Sequence, residues 1–240
     1  MSISNILLYL HPNFTYMKKL FTLTVCTLLT SMFMQLKAQN IQLLFDPGRD
    51  CVTSTVEMFR PDAGGSTFFF IDFDYCPVAS TAYWEISREF NFWQDTNLSW
   101  LSAHLEYDGG LCNSGSYDNS WLAGATYSGH SKDFSKTWSL SAMYKIDTFA
   151  GVAAHGFQIT GVWGINFLKG WCSFSGFADL WKTGAGSFVF LSEPQFWVNL
   201  NKIKGWENIN LSVGGEVELS ANFFDGGFQC MPAIGAKWTF

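Results

Sequence analysis

The sequence predicts an all-β fold: a closed antiparallel transmembrane β-barrel of about twelve strands, preceded by a cleaved signal peptide. Three observations carry this prediction. Apolar and polar residues alternate with period two in segment after segment, with turn residues between them. Aromatic residues make up 18% of the chain and charged residues only 14%, against about 25% charged in an ordinary soluble domain. The chain ends on Phe240, with Trp238 two places before it on the same face. A terminal Phe behind a second aromatic is the assembly signature of outer-membrane barrels.

The N-terminus comes first. Lys18 and Lys19 form a positive region after Met17, Leu20 to Met34 form an apolar stretch, and Leu36-Lys37-Ala38 ends in the small residue a signal peptidase needs. The stretch is too short to span a bilayer as a helix, so 1–38 reads as a signal peptide. Met17 is the expected start. Residues 1–16 are broken by His11-Pro12-Asn13 and read as an upstream extension. No Cys follows Ala38 to receive a lipid. Processing removes three Lys and no acid, which takes the formal charge from −6 to −9. That balance excludes nucleic acid as a partner. Residues 39–240 form a single barrel domain, with no linker and no second domain.

Five cysteines remain after processing: Cys51, Cys76, Cys112, Cys172 and Cys230. The number is odd and no CxxC pair occurs, so buried or lipid-facing thiols are expected, with Cys51–Cys76 and Cys76–Cys112 as the pairings open near loops. No metal-ligand spacing appears, and no cofactor is expected.

The strand segments follow in order as 41–46, 51–60, 66–75, 79–92, 97–107, 119–129, 136–147, 154–168, 171–182, 186–199, 207–221 and 227–240. Segment 207–221 shows the pattern well. Ile209, Leu211, Val213, Val217 and Leu219 share one face, and Asn210, Ser212, Glu216, Glu218 and Ser220 share the other. The polar faces are mostly small and uncharged, which suits a narrow lumen lined from all sides. Closure also removes the sheet edge that lipid cannot satisfy. An even strand number puts both termini on the periplasmic side. The joins at 61–65, 94–97, 131–133 and 168–170 are then periplasmic turns, and those around 108–118 and 148–153 face outside.

Alternation assigns a lumen-facing set. Its acids are Glu57, Asp72, Asp74, Glu85, Glu89, Glu106, Asp179, Glu193, Glu216 and Glu218, because a carboxylate facing lipid is costly. Its bases are mainly Lys145, Lys237 and His104. Its rings are Phe68, Phe70, Tyr83, Trp100, Phe177, Trp181 and Trp197. Two readings stay open. The acids line a path for neutral or cationic polar solutes, with the rings stacking on a flat one such as a nucleobase. Alternatively, they hydrogen-bond across the lumen and fill it. Trp84, Phe92, Trp93, Trp121, Trp138, Trp238 and Phe240 read as belts at the two headgroup levels.

Catalysis finds little support. His130-Ser131 falls at a periplasmic turn, His155 lacks a Ser and an acid at strand spacing, and His104 beside Glu106 reads as a lumen pair. No GxSxG, HExxH, P-loop or dinucleotide fingerprint occurs. An outer-membrane lipid hydrolase is the remaining enzymatic alternative, and no enzyme is expected.

Several stretches carry a resemblance. Thr55-Val56-Glu57-Met58-Phe59, Gly65 to Asp72, Ala82-Tyr83-Trp84-Glu85-Ile86, Leu191 to Trp197 and Gly235 to Phe240 are similar to an outer-membrane barrel family with a domain of unknown function, itself similar to the Tsx-type nucleoside-specific channel-forming proteins. The likeness covers nearly all of 39–240. It rests on overall pattern and transfers no solute-binding residue individually. It implies a monomeric twelve-stranded barrel in the cell outer membrane that passively and selectively passes small polar solutes, nucleosides first. Its other partners are outer-membrane lipid and the barrel-assembly machinery, through the C-terminal strand. A closed-lumen structural or interaction barrel is the alternative. N-terminal sequencing of the protein from bacterial envelopes is expected to begin at Gln39.

Overall fold

The computed structural model describes residues 39–77, 80–113, 115–116, 119–149, 152–223 and 227–240. The segments expected to be a signal peptide and an upstream extension lie outside the described residues. The strands are β1 Gln39–Asp46, β2 Cys51–Asp62, β3 Gly65–Tyr75, β4 Ser80–Phe90, β5 Leu101–Cys112, β6 Gly115–Ser116, β7 Asn119–His130, β8 Lys136–Phe149, β9 Val152–Phe167, β10 Cys172–Thr183, β11 Val189–Ser192, β12 Gln195–Asn199, β13 Leu211–Ala221 and β14 Phe228–Thr239.

They form one closed antiparallel barrel. β1 to β5 pair in chain order, β5 pairs with β7, β7 to β10 follow in order, β10 and β13 both flank β11 and β12, and β13 pairs with β14, which returns to β1. In that last seam Ile41 faces Trp238 and Leu43 faces Ala236, and the Phe240 N–H donates to the Gln39 carbonyl at 2.9 Å. The two short strands β11 and β12 are one stave. Ala178 pairs with Ser192 and Ser175 with Gln195 in a single register. The ladder is interrupted between them because Pro194 has no N–H to give, although its carbonyl still accepts from Val217 at 3.0 Å. Gly176 stands opposite, at φ +154°. A Cβ there would lie 2.4 Å from the Glu193 carbonyl oxygen and 2.9 Å from the Pro194 Cα, so the kinked stave requires glycine across from it. With β6 a two-residue appendage of β5, the described residues make twelve staves.

Alternation separates the two faces as predicted from period two. On β1, Ile41, Leu43 and Phe45 are exposed on the outside, while Gln42, Leu44 and Asp46 are buried inside. On β8, Trp138, Leu140 and Tyr144 are exposed outward, and Ser141, Met143 and Lys145 are buried inward. Such an apolar outer wall is the surface a barrel presents to lipid. Aromatics gather near both rims. Trp138, Trp238 and Phe240 are exposed at the end that carries the termini, while Tyr107 and Trp121 meet at 4.9 Å toward the other.

The joins expected at 61–65, 94–97, 131–133 and 168–170 fall at the end with both termini. In the 131–135 turn the Ser131 and Ser135 hydroxyls and the Ser135 N–H donate to Asp133. These bonds, that from Ser131 first, hold its carboxyl down at about 2. Toward the opposite end the staves run further than predicted. β5 continues to Cys112, and β8 and β9 reach Phe149 and Val152.

Two sequence expectations need correction. Trp100 is not in the lumen. Residues 97–100 belong to a turn closed by Ser99 N–H to the Thr96 carbonyl and Leu101 N–H to the Leu98 carbonyl. The strand therefore starts at Leu101 rather than at residue 97, and the indole lies on the outside against Tyr127, with ring centroids 5.5 Å apart. The thiol reading fails for two cysteines, because Cys51 and Cys76 form a disulfide. Cys172 and Cys230 are free thiols. The bond links the start of β2 to the segment after β3, across a sequence separation of 25. Replacing both cysteines by Ser is expected to cost about 2–4 kcal/mol, read as a lower urea midpoint of the folded barrel in detergent.

Candidate functional site: an acid-lined lumen

The lumen is built by register. Cross-strand partners point to the same side of a sheet, so inward positions form tiers around the barrel. Asp72 faces Tyr83, Phe70 faces Glu85, and Glu57 faces Phe70. Glu85 faces Asp108, and Glu89 faces His104. Lys145 faces Leu122, and Thr160 faces Asp179. Glu216 faces Gln195, and Lys237 faces both Ser212 and Gln42. Glu106, Asp74, Phe177, Glu193, Trp197 and Glu218 share the inward parity of their strands. Of the residues selected as lumen-facing by alternation, Trp100 alone lies outside.

Most of these acids meet hydroxyl and amide donors rather than cations. Thr53 and Thr81 donate to Asp74 at 2.6 and 2.7 Å, and Thr55 donates to Asp72. Asn40 donates to Glu57 at 2.8 Å, the Tyr83 hydroxyl to Glu85 at 2.8 Å, and Gln195 to Glu216 at 3.0 Å. Neutral donors let a narrow, poorly hydrated space hold negative charge without equal positive charge.

The cations sit at a few places. His104 is held between two acids, with Nδ1 2.6 Å from Glu89 and Nε2 3.2 Å from Glu106. Ser102 and Thr126 also donate to Glu89. Lys145 Nζ donates to Gln158 at 3.0 Å and lies 3.7 Å from both Asp108 and Asp147. Lys237 Nζ stands over the Trp197 ring, 4.5 Å from its centroid, an attractive cation–π placement.

Four charged residues of this lumen are not marked by the sequence reading: Asp46 at the end of β1, Arg49, Asp108 and Asp147. Arg49, in the β1–β2 turn, binds Asp46 at 2.5 Å and approaches Glu218 at 3.7 Å. Nothing in local alternation marks a turn residue as inward. Asp108 was assigned to a join because β5 was expected to end at 107. Asp147 shares the parity of Lys145, so alternation could have found it.

The rings constrict the lumen. Trp197 is fully buried and packs with Leu44 and Ala233, and Leu122 is also fully buried. The Trp197 indole N–H donates to Gln195 at 3.0 Å. Phe70 and Tyr83 meet with centroids 5.9 Å apart. At the end with the termini, a polar vestibule of about 380 Å³ opens between Asn166, Asn199, Asn210, Ser212 and Lys202.

His104 is the best probe of this electrostatic arrangement. His104→Ala leaves Glu89 and Glu106 without their shared partner and is expected to cost about 3–5 kcal/mol. His104→Gln, which keeps a donor, should lose less. Urea titration of both refolded variants measures the difference.

Comparison with known proteins agrees with the barrel. The NanC porin has a TM-score of 0.56 at 7% identity, over 85% of this chain and all of that one, 100%. The KdgM porin has a TM-score of 0.50 at 13% identity, over 85% of this chain and 99% of the other. At such identities the likeness is one of fold. No curated protein matches the sequence. Residues 38–240 match the family described as "Domain of unknown function (DUF5020)", and on that match the chain belongs to the DUF5020 family.

Proposed function

We propose that this protein is an outer-membrane channel for passive diffusion of small polar solutes, with a preference for neutral and cationic ones. The excess of inward carboxylates over Arg49, Lys145, Lys237 and His104 carries the reading. Acid-lined walls in a low-dielectric tube raise the local concentration of cations and repel anions. The apolar outer wall supports a membrane location, and the Cys51–Cys76 disulfide fits an exported protein. The family match begins at residue 38, where the signal segment would end. The barrel then works as a monomer held by outer-membrane lipid, with both termini in the periplasm. The strand ending in Phe240 is its handle for the assembly machinery.

Within this reading, nucleosides are the solute of choice. Phe70 and Tyr83 bring ring faces to the lumen, and Glu85 is a hydrogen-bond acceptor beside them. The resemblance to the Tsx-type channels points to the same solute class. A second reading is a closed barrel with a structural role, favoured by the full burial of Trp197 and Leu122 in the lumen.

Planar-bilayer recording separates the two. Cation-selective conductance is expected, with selectivity falling in Glu193→Gln and Glu216→Gln. Anion selectivity would sink the acid-lined path, and no conductance at all would favour the closed barrel. Liposome swelling should be faster with nucleosides than with sugars of similar size, and equal rates would remove the nucleoside assignment.

A further inference from the structure

Three of the lumen carboxylates crowd together. Glu106 and Asp108 are two residues apart on β5 and so share its inward face. Glu85 on β4 is the cross-strand partner of Asp108. One oxygen from each of the three lies within 4.8 Å of the others. Like charges directly opposite one another in a sheet repel, and a third carboxylate adds to that repulsion.

The surrounding donors do not quench it. Tyr83 satisfies one oxygen of Glu85 at 2.8 Å. His104 reaches Glu106 at 3.2 Å, but it sits closer to Glu89, at 2.6 Å. Lys145 lies 3.7 Å from Asp108 Oδ2, beyond hydrogen-bond reach, and donates to Gln158 instead. Asp147 also draws Lys145 away, at 3.7 Å. That leaves Asp108 Oδ1. It is shielded from solvent and has no hydrogen-bond partner, in a residue only 5% exposed. A buried carboxylate oxygen without a donor costs about 1–3 kcal/mol or more; Asp179 Oδ1 and Glu218 Oε1 share that state, but among the described residues only Asp108 has it within a cluster of three acids.

We propose that Glu85, Glu106 and Asp108 form a binding site for a hard divalent cation of the calcium type. Calcium takes carboxylate oxygens at about 2.3–2.6 Å, so it bridges oxygens up to about 4.6–5.2 Å apart. The 4.8 Å limit on the cluster puts it within reach of calcium after small side-chain shifts, whereas magnesium, with bonds of about 2.0–2.1 Å, bridges a shorter span. The cation supplies the charge that Lys145 and His104 do not, and it gives Asp108 Oδ1 its missing partner. It ties β4 to β5 inside the barrel and makes the local field less negative. The site stands apart from the channel reading, because a closed barrel could hold the same ion.

Terbium titration of the refolded full barrel in detergent tests the proposal. Terbium is a luminescent substitute for calcium, and Tyr83 next to Glu85 is a ready sensitiser. Saturable aromatic-sensitised emission, reversed by excess calcium, is expected. Asp108→Asn and Glu106→Gln should each weaken terbium binding by about tenfold or more, since affinity follows the number of ligand charges. Glu207→Gln, at an exposed turn, should not change it. Calcium should also raise the melting temperature of the unaltered protein relative to chelator. Absence of saturable emission from the unaltered protein would overturn the site, as would emission that survives both lumen variants. A melting temperature indifferent to calcium would overturn it without recourse to any variant.

Discussion

The structure depends on one constraint: within hydrocarbon, every backbone N–H and C=O must find its partner inside the protein. The seam between β1 and β14 meets it. Once Ile41 is opposite Trp238 and Leu43 opposite Ala236, no stave has a free edge. Local exceptions are then handled locally. Pro194 removes one donor, its own carbonyl still bonds to Val217, and Gly176 makes room opposite. Closure also means that every second residue faces a confined space and every other one faces outward. The two faces therefore obey different chemistry on the same strand.

The inner face carries the unusual load. Carboxylates crowd a confined space, and burial of unpaired charge is expensive. The fold meets this mostly with hydroxyls and amides at hydrogen-bond distance. Thr53 and Thr81 serve Asp74, Asn40 serves Glu57, and Gln195 serves Glu216. The few bases are spread out: Arg49 at one rim, His104 between Glu89 and Glu106, Lys145 near Asp108 and Lys237 on Trp197. The net field therefore remains negative, which links the wall chemistry to the solutes proposed for it. Trp197, Leu44 and Ala233 pack together on the same inner wall.

The disulfide and the turn at 91–100 show where local pattern stops being informative. Five cysteines in the mature segment could pair in several ways, and only the juxtaposition of the start of β2 with the end of β3 selects Cys51 with Cys76. Trp100 follows the alternation of the strand after it, yet it sits in a turn whose hydrogen bonds end before Leu101. Alternation orients a side chain only within the strand, so where a strand begins and ends decides which residues it places. The same sensitivity explains Asp108: the extra length of β5 made it a lumen residue.

By itself the sequence determined the barrel, the number of staves and the side on which Glu85, Asp179, Glu193, Glu216 and Lys237 lie. These follow from period-two alternation, which a strand's geometry makes local and additive, and from the penalty on charge in lipid. Only the tertiary structure decided which of those residues meet. Glu85 reaches Asp108 and Glu106, His104 bridges two acids, and Arg49 turns inward, because register, strand ends and closure bring together residues that no local pattern connects. Alternation gives each residue its face, whereas pairing across strands gives it its neighbours, and the chemistry of the lumen resides in those neighbours.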